Sequence, residues 1–397
     1  MAGQRKASRY VVPVAVAGVA AATIGLVPAL AASGDPDLPD ITAQQLIEKI
    51  AASDTQTLSG TFRISTDLGL PSFAGLIPSA PGGSGSGSAD PSERLTQLVS
   101  GSHTLRVAAD GPDRQKLTLL DGSDEYSLIH NGDDLWAYDS KSNEVFHEKG
   151  EKGDEGEKGK HEQELPATPK ELADEVLKAA GDTTSVTVGG TAKVAGRDAY
   201  QLVIKPKQSG STVESVTIAV DAANGTPLKF TLDSVSGGKP VVDAGFTKVD
   251  FAKPAADTFD FKAPKGAKVT EGAGETADKA GKGGKDAEDA FGEDFGMGLG
   301  GLFGGMEKGE GSEPNIIGEG WTTIAQLDTG APAPKTGEAP KEVQGFLDAL
   351  GDKVSGKFGS GTVFKTKIVN ALMTDDGKVY VGAVTPEKLV DAANSAK

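Results

Sequence analysis

Residues 127–147, Ser-Leu-Ile-His-Asn-Gly-Asp-Asp-Leu-Trp-Ala-Tyr-Asp-Ser-Lys-Ser-Asn-Glu-Val-Phe-His, read as three short strands joined by two tight turns. Asn131-Gly132 supplies the positive-φ residues of a two-residue hairpin, and Asp139–Asn143 makes the second turn. Side chains alternate along a strand, so Leu135 and Ala137 point to one face and Trp136 and Tyr138 to the other. A strand that is apolar on both faces is covered on both sides or forms the wall of an apolar space. Whether that wall encloses packed side chains or a ligand stays open at the level of sequence.

The same short spacing continues on either side. Strands are expected at Leu58–Thr66, His103–Ala108, Gln115–Leu120, Glu125–His130, Asp134–Tyr138 and Glu144–Glu148. They resume at Ser185–Val188, Thr191–Val194, Ala199–Ile204, Glu214–Val220, Pro227–Leu232 and Lys239–Val249, with Phe259–Phe261 as a further candidate. Turns rich in Gly, Asp and Asn between them are the mark of an antiparallel meander. Two helices interrupt. Thr42 opens one with a T-x-x-Q capping box, and Leu46, Ile47 and Ile50 form its apolar stripe. Thr168-Pro169-Lys170-Glu171 opens the other, with Leu172, Val176, Leu177 and Ala180 as its stripe.

Eleven or twelve antiparallel strands tend to curl, and two helices are too few to cover both faces. The fold expected for residues 38–268 is therefore mainly β (α+β): a strongly curved antiparallel half-barrel with helices in its concavity. Such a shape leaves an apolar hollow between sheet and helices. The candidate lining is Phe62, Ile64, Leu105, Val107, Leu117, Leu119, Leu128, Leu135, Phe146, Leu202 and Phe230. For each of them, ordinary core is the competing reading.

The rest of the chain is less regular. Residues 1–32 carry Arg5, Lys6 and Arg9 before an apolar run, with Ala29-Leu30-Ala31 as a cleavage site, the pattern of an export signal or of an uncleaved anchor. No Cys follows, which excludes a lipoprotein anchor. Residues 67–92 are a disordered insertion or an apolar flap, and 149–164 are a charged loop. Residues 269–319 form a Gly- and acid-rich linker, either a plain spacer or a tether, in which Phe291, Phe295, Met297, Leu299, Leu302, Phe303 and Met306 stand out. From Gly320 to Lys397 order returns as a small α+β unit. It has a strand at Trp321–Leu327, a helix at Val343–Leu350, a hairpin about Asp375-Asp376-Gly377 flanked by Val363–Leu372 and Lys378–Val384, and a last helix from Thr385-Pro386.

Composition narrows the chemistry. A net charge of −17, falling to about −20 if the leader is cut, disfavours nucleic acid and anionic membrane surfaces. With no Cys there are no disulfides, thiol nucleophiles or Cys-held zinc. The four His, at 103, 130, 147 and 161, show no helical metal-pair spacing. No G-x-S-x-G elbow and no P-loop occur. Catalytic residues, metal ligands and cofactors are accordingly none, and an enzyme is not expected.

Residues Leu128–Asp139 resemble a motif of the LolA family of periplasmic lipoprotein carriers, with their RseB and LppX relatives: an N/D-G-x-x-L-W-x-Y segment, then a strand similar to Glu144-Val145-Phe146. Further resemblances are the opening helix with Leu58–Ile64, Gly111-Pro112-Asp113-Arg114, the hairpin Val220–Leu228, and Phe259–Gly266 as a closing strand. The composition is similar to that of actinobacterial LolA-like exported proteins. The resemblance implies an incomplete barrel that binds lipid or lipoprotein acyl chains without covalent chemistry, in the cell envelope or outside the cell. Its RseB branch implies an alternative, an extracytoplasmic regulator that binds a membrane anti-sigma factor and carries a second, smaller domain.

Overall fold

The computed structural model describes residues 35–69, 89, 101–149, 181–271, 314–328 and 351–396. The expected leader, most of the 67–92 insertion, the charged loop, the helix from Thr168, most of the linker and the helix at Val343–Leu350 lie outside the described residues.

The chain enters through helix α1 (Ala43–Ala51). Its capping box forms as the sequence predicts: Gln45 N–H donates to Thr42 Oγ1 (3.2 Å) and Thr42 N–H to Gln45 Oε1 (2.9 Å). Leu46, Ile47 and Ile50 face Tyr200, Leu202 and Val220.

Strands β1 (Thr57–Thr66), β2 (Gly101–Asp110), β3 (Arg114–Asp121), β4 (Asp124–Asn131), β5 (Asp134–Asp139) and β6 (Glu144–Lys149) follow as a meander. The second run is β7 (Thr184–Val194), β8 (Arg197–Pro206), β9 (Val213–Asp221), β10 (Pro227–Ser234) and β11 (Val242–Asp250). A last strand, β12 (Lys268–Glu271), completes one sheet in the order β12-β6-β5-β4-β3-β2-β1-β11-β10-β9-β8-β7. All its pairings are antiparallel except that of β12 with β6.

Three expectations are corrected. Ser185–Val188 and Thr191–Val194 are one strand, because Gly189-Gly190 makes a bulge and not a turn: the pairing steps from Val188–Leu202 to Gly190–Gln201. Phe259–Phe261 is no strand. Ala256–Phe259 is a 3-10 turn, and the chain pairs only later, at Lys268. At the first hairpin only Gly132 is left-handed (φ 65°), while Asn131 ends β4.

The sheet is open but strongly rolled. The ends of β7 and β11 meet although β8, β9 and β10 lie between them. A flat sheet would hold them about 19 Å apart, at ~4.8 Å per strand. Arg197 helps to close the roll. It pairs with Asp221 and sets its guanidinium 4.8 Å from the centre of the Phe251 ring, just past β11.

The turn Asp221–Thr226 joins β9 to β10 and touches α1. Asp221 Oδ1 accepts from Ala223 N–H (2.9 Å) and Asn224 N–H (3.0 Å), and Asn224 Oδ1 accepts from Thr226 N–H (3.0 Å). Gly225 sits at φ +76°, and a Cβ there would run into the Lys49 carbonyl of α1. Gly225→Ala should therefore cost at least about 2 kcal/mol, from left-handed strain plus a displaced helix end. A lowered urea midpoint at unchanged slope checks it.

A second sheet has the order β13-β14-β18-β17-β16-β15, all antiparallel. Its strands are β13 (Asn315–Ile317), β14 (Ile324–Asp328), β15 (Gly351–Gly356), β16 (Gly359–Phe364), β17 (Asn370–Thr374) and β18 (Lys378–Gly382). The expected strand Val363–Leu372 is broken in two by the turn at 365–369, and Trp321 lies in a 3-10 turn ahead of β14. Helix α2 (Pro386–Ser395) closes this unit, with Leu389, Ala392 and Ala393 packed on Val363, Leu372 and Tyr380.

The two sheets are docked. Ser211 and Val384 form an isolated bridge, Thr212 N–H donates to Ala383 O (3.0 Å), and Thr385 N–H to Gly210 O (2.8 Å). Lys367 binds the Asp67 carboxylate (2.6 Å), and that hydrogen bond holds Asp67 below the usual carboxylate range. Val213, Val241, Ile368 and Val369 form the dry centre of the contact.

Candidate functional site: an apolar inner face

Strand pairing places all eleven candidate residues on one face of the large sheet. One cross-strand row runs Val107–Leu117–Leu128–Ala137–Phe146 over β2 to β6. Beside it, Leu105 pairs with Leu119, and Leu119 with Tyr126. A second row runs Ile64–Ala244–Phe230–Ile218–Leu202 over β1, β11, β10, β9 and β8. Phe62 pairs with Phe246, their rings 5.0 Å apart and edge to face. Because α1 packs on Leu202 and Ile218, this is the face that the helix covers at one end.

The residues differ in burial, and the difference is ordered. Ile64 and Leu105 are fully buried, and Phe62, Leu119 and Leu202 nearly so. Val107, Leu117, Leu128, Phe146 and Phe230 are only half-buried although they pack on that same cluster. The half-buried residues over β2 to β6 share a single row, broken only by the fully buried Ala137, whereas α1 packs at the other end, on β7 and β8. Leu135 is half-buried too, in a flanking row with Gln115, His130 and Glu148. The inner face thus presents an apolar strip with a polar margin at one end.

Sequence reasoning did not single out Tyr126, Ala137, Ala244 and Phe246, which belong to the same cluster. The signal was present for the last three, since Ala137 shares its face with Leu135, and Val242, Ala244 and Phe246 alternate within the expected strand. Tyr126 O–H also donates to Ala89 O (3.0 Å), so part of the 67–92 insertion touches the cluster.

The outer face of β4 to β6 is covered differently. Asn131 pairs with Asp134 across the Gly132 turn, and its side-chain amide donates to Phe259 O (3.4 Å). Phe259 is fully buried, and Phe261 lies 5.4 Å from Trp136 and 5.9 Å from Tyr138. The segment between β11 and β12 therefore straps the aromatic side of the Trp136 strand. The two apolar faces of that strand are separate surfaces: the outer one is closed by this strap, and the inner one carries the half-buried row.

Among the described residues no cluster of three or more His, Asp or Glu is placed to hold a metal ion. Among the same residues no helix is long and apolar enough to cross a membrane.

No family model matches the chain, and no curated protein sequence matches it. Solved structures do. The complex of MucA and MucB from Pseudomonas aeruginosa aligns at 15% identity and a TM-score of 0.37, covering 88% of this chain and 96% of that one. An uncharacterized conserved protein from Thermus thermophilus aligns at 12% identity and a TM-score of 0.31, covering 58% and 99%. A LolA superfamily protein from Nitrosomonas europaea aligns at 13% identity and a TM-score of 0.21, covering 56% and 99%. These are likenesses of fold alone, all at 15% identity or less.

Proposed function

We propose that the protein is an exported, non-enzymatic carrier or sensor of the cell envelope that holds acyl chains of lipids or lipoproteins on its inner face. Residues 38–268 would form the lipid-binding unit, and 320–397 a second unit docked on it. One observation supports the reading above others: the cross-strand row Val107–Leu117–Leu128–Ala137–Phe146 is apolar throughout, and every member but the small Ala137 is only half-buried. Apolar area in water costs roughly 25 cal/mol per Å2, so an acyl chain laid along such a row binds without a polar anchor. Protein purified without detergent should release a lipid on extraction, read by mass spectrometry, and should take up a fluorescent fatty acid. Absence of both overturns the proposal.

A second reading draws on the docked unit. Val242 packs against both the inner-face cluster and the interface between the sheets, so the two are mechanically continuous. That suits a regulator that binds a membrane partner, the RseB-like alternative. A stoichiometric single-pass membrane protein captured with the full chain, without extractable lipid, favours this reading over the first.

A further inference from the structure

The last strand of the large sheet is held unlike any other. All four residues of β12 are exposed, so the strand buries no side chain of its own. It pairs in parallel with β6, matching Lys268 to Glu144 and Glu271 to His147. Its side-chain ties are Lys268 Nζ to Glu144 Oε1 (2.9 Å) and Glu271 Oε2 to His147 Nδ1 (2.8 Å). The other nitrogen of the same ring, Nε2, lies 2.9 Å from Asp134 Oδ1 on β5. The imidazole stacks on Trp136 at 3.7 Å with an interplanar angle of 12°, which fixes its orientation.

A neutral imidazole has one N–H, and its second nitrogen carries a lone pair. Carboxylate oxygens at hydrogen-bond distance from both nitrogens can both be satisfied only by the doubly protonated, cationic ring. Once the proton leaves, one carboxylate faces a lone pair. Asp134 sits at the start of β5, inside the sheet, whereas the Glu271 side chain is 69% exposed on a strand with nothing buried. The Glu271 contact is the one that opens. The other charged groups nearby do not replace it. Lys149 lies opposite Asp134 on β6, and Lys268 is engaged with Glu144 at the far end of β12. The strap offers the Phe261 ring to Trp136, with Asp260 and Lys262 flanking it in sequence.

We propose that the Asp134–His147–Glu271 constellation is a proton-dependent latch that docks β12 on the sheet edge when His147 is charged and frees it when the ring is neutral. The sign follows from the geometry: two carboxylates facing the two ring nitrogens favour the docked strand in acid and its release in base. Release bares the hydrogen-bonding edge of β6, the strand that carries Phe146 at the end of the apolar row. The latch lies on the outer face and does not depend on whether the inner face binds lipid.

Hydrogen–deuterium exchange of the full chain at pH 5.5 and 8.0, corrected for the intrinsic rate, tests this. Protection of Lys268–Glu271 and of the β6 amides should fall about tenfold or more at pH 8.0, the worth of one charge-assisted hydrogen bond, while β3 and β4 stay unchanged. Glu271→Gln, at an exposed position, and His147→Phe, which keeps the stack, should each abolish the pH dependence. Equal wild-type protection at both pH values overturns the latch. So does a pH response that survives in Glu271→Gln, a variant that leaves the fold intact even if His147→Phe does not.

Discussion

Asp221→Ala should destabilise the protein by about 3 kcal/mol, a loss typical of removing one partner from a buried ion pair and placed at the low end because Arg197 is partly exposed. The Asp221 side chain is 1% exposed and does three jobs. It binds Arg197, accepts the amides of Ala223 and Asn224, and so shapes the turn that meets α1. Through Arg197 it also reaches Phe251, where the rolled sheet brings the end of β7 against β11. Truncation would leave a half-buried cation and two turn amides without their acceptor together. Burial alone would raise the Asp221 pKa. The Arg197 hydrogen bond and the two turn amides outweigh that and hold it below the usual carboxylate range.

The sign of the pH effect follows. A carboxyl lowered on folding adds stability that is fully present above its unfolded value, about 3.9, and is lost as pH falls through the folded value. Asp221→Asn keeps an acceptor for the turn but gives up the charge. It should be less stable than the wild type at pH 7 by about 1–2 kcal/mol and should lose less on acidification below pH 4. Urea midpoints at pH 7, 4 and 3 measure both effects. A variant that matches the wild type at pH 7 would show that the ion pair contributes nothing net.

Most of the large sheet could be read from the chain because its turns announce themselves. Gly122, Gly132 and Gly196 supply left-handed residues between alternating strands, and Asp139 caps its own turn by accepting from Lys141 and Ser142 N–H. The alternation also put all eleven candidates on one face without knowledge of register, since a two-residue period assigns faces strand by strand. Three features were not legible for physical reasons. Gly189-Gly190 has turn composition, yet it makes room for Val203 within a continuous pairing. Phe259 and Phe261 have strand composition, yet their rings serve as cover for Trp136 and Tyr138. Lys268–Glu271 has no apolar period at all, because β12 buries nothing. The half-exposure of Val107, Leu117, Leu128 and Phe146 depends on how far the sheet rolls from α1, a long-range property that no local pattern encodes.

Leu128→Glu should abolish acyl binding while leaving the fold in place. Leu128 is the middle of the cross-strand row, with the half-buried Leu117 on one side and the fully buried Ala137 on the other. Because its side chain is only half-buried, a carboxylate there keeps access to water in the free protein, and the cost to folding stays near 1 kcal/mol. An acyl chain seated on the row would strip that water. An uncompensated charge under hydrocarbon costs several kcal/mol, and each 1.4 kcal/mol is tenfold in affinity, so the loss should be about 100-fold or more. Leu128→Met conserves volume and apolarity and should bind within a few-fold of the wild type. Ile64→Ala separates the two kinds of position, since Ile64 is fully buried and should lose about 2–5 kcal/mol of stability. Titration with a fluorescent fatty acid, alongside urea midpoints for the three variants, distinguishes a binding row from a packed core. If Leu128→Glu binds as tightly as the wild type, the acyl chain lies elsewhere. If it unfolds like Ile64→Ala, the row belongs to the core and the carrier reading falls.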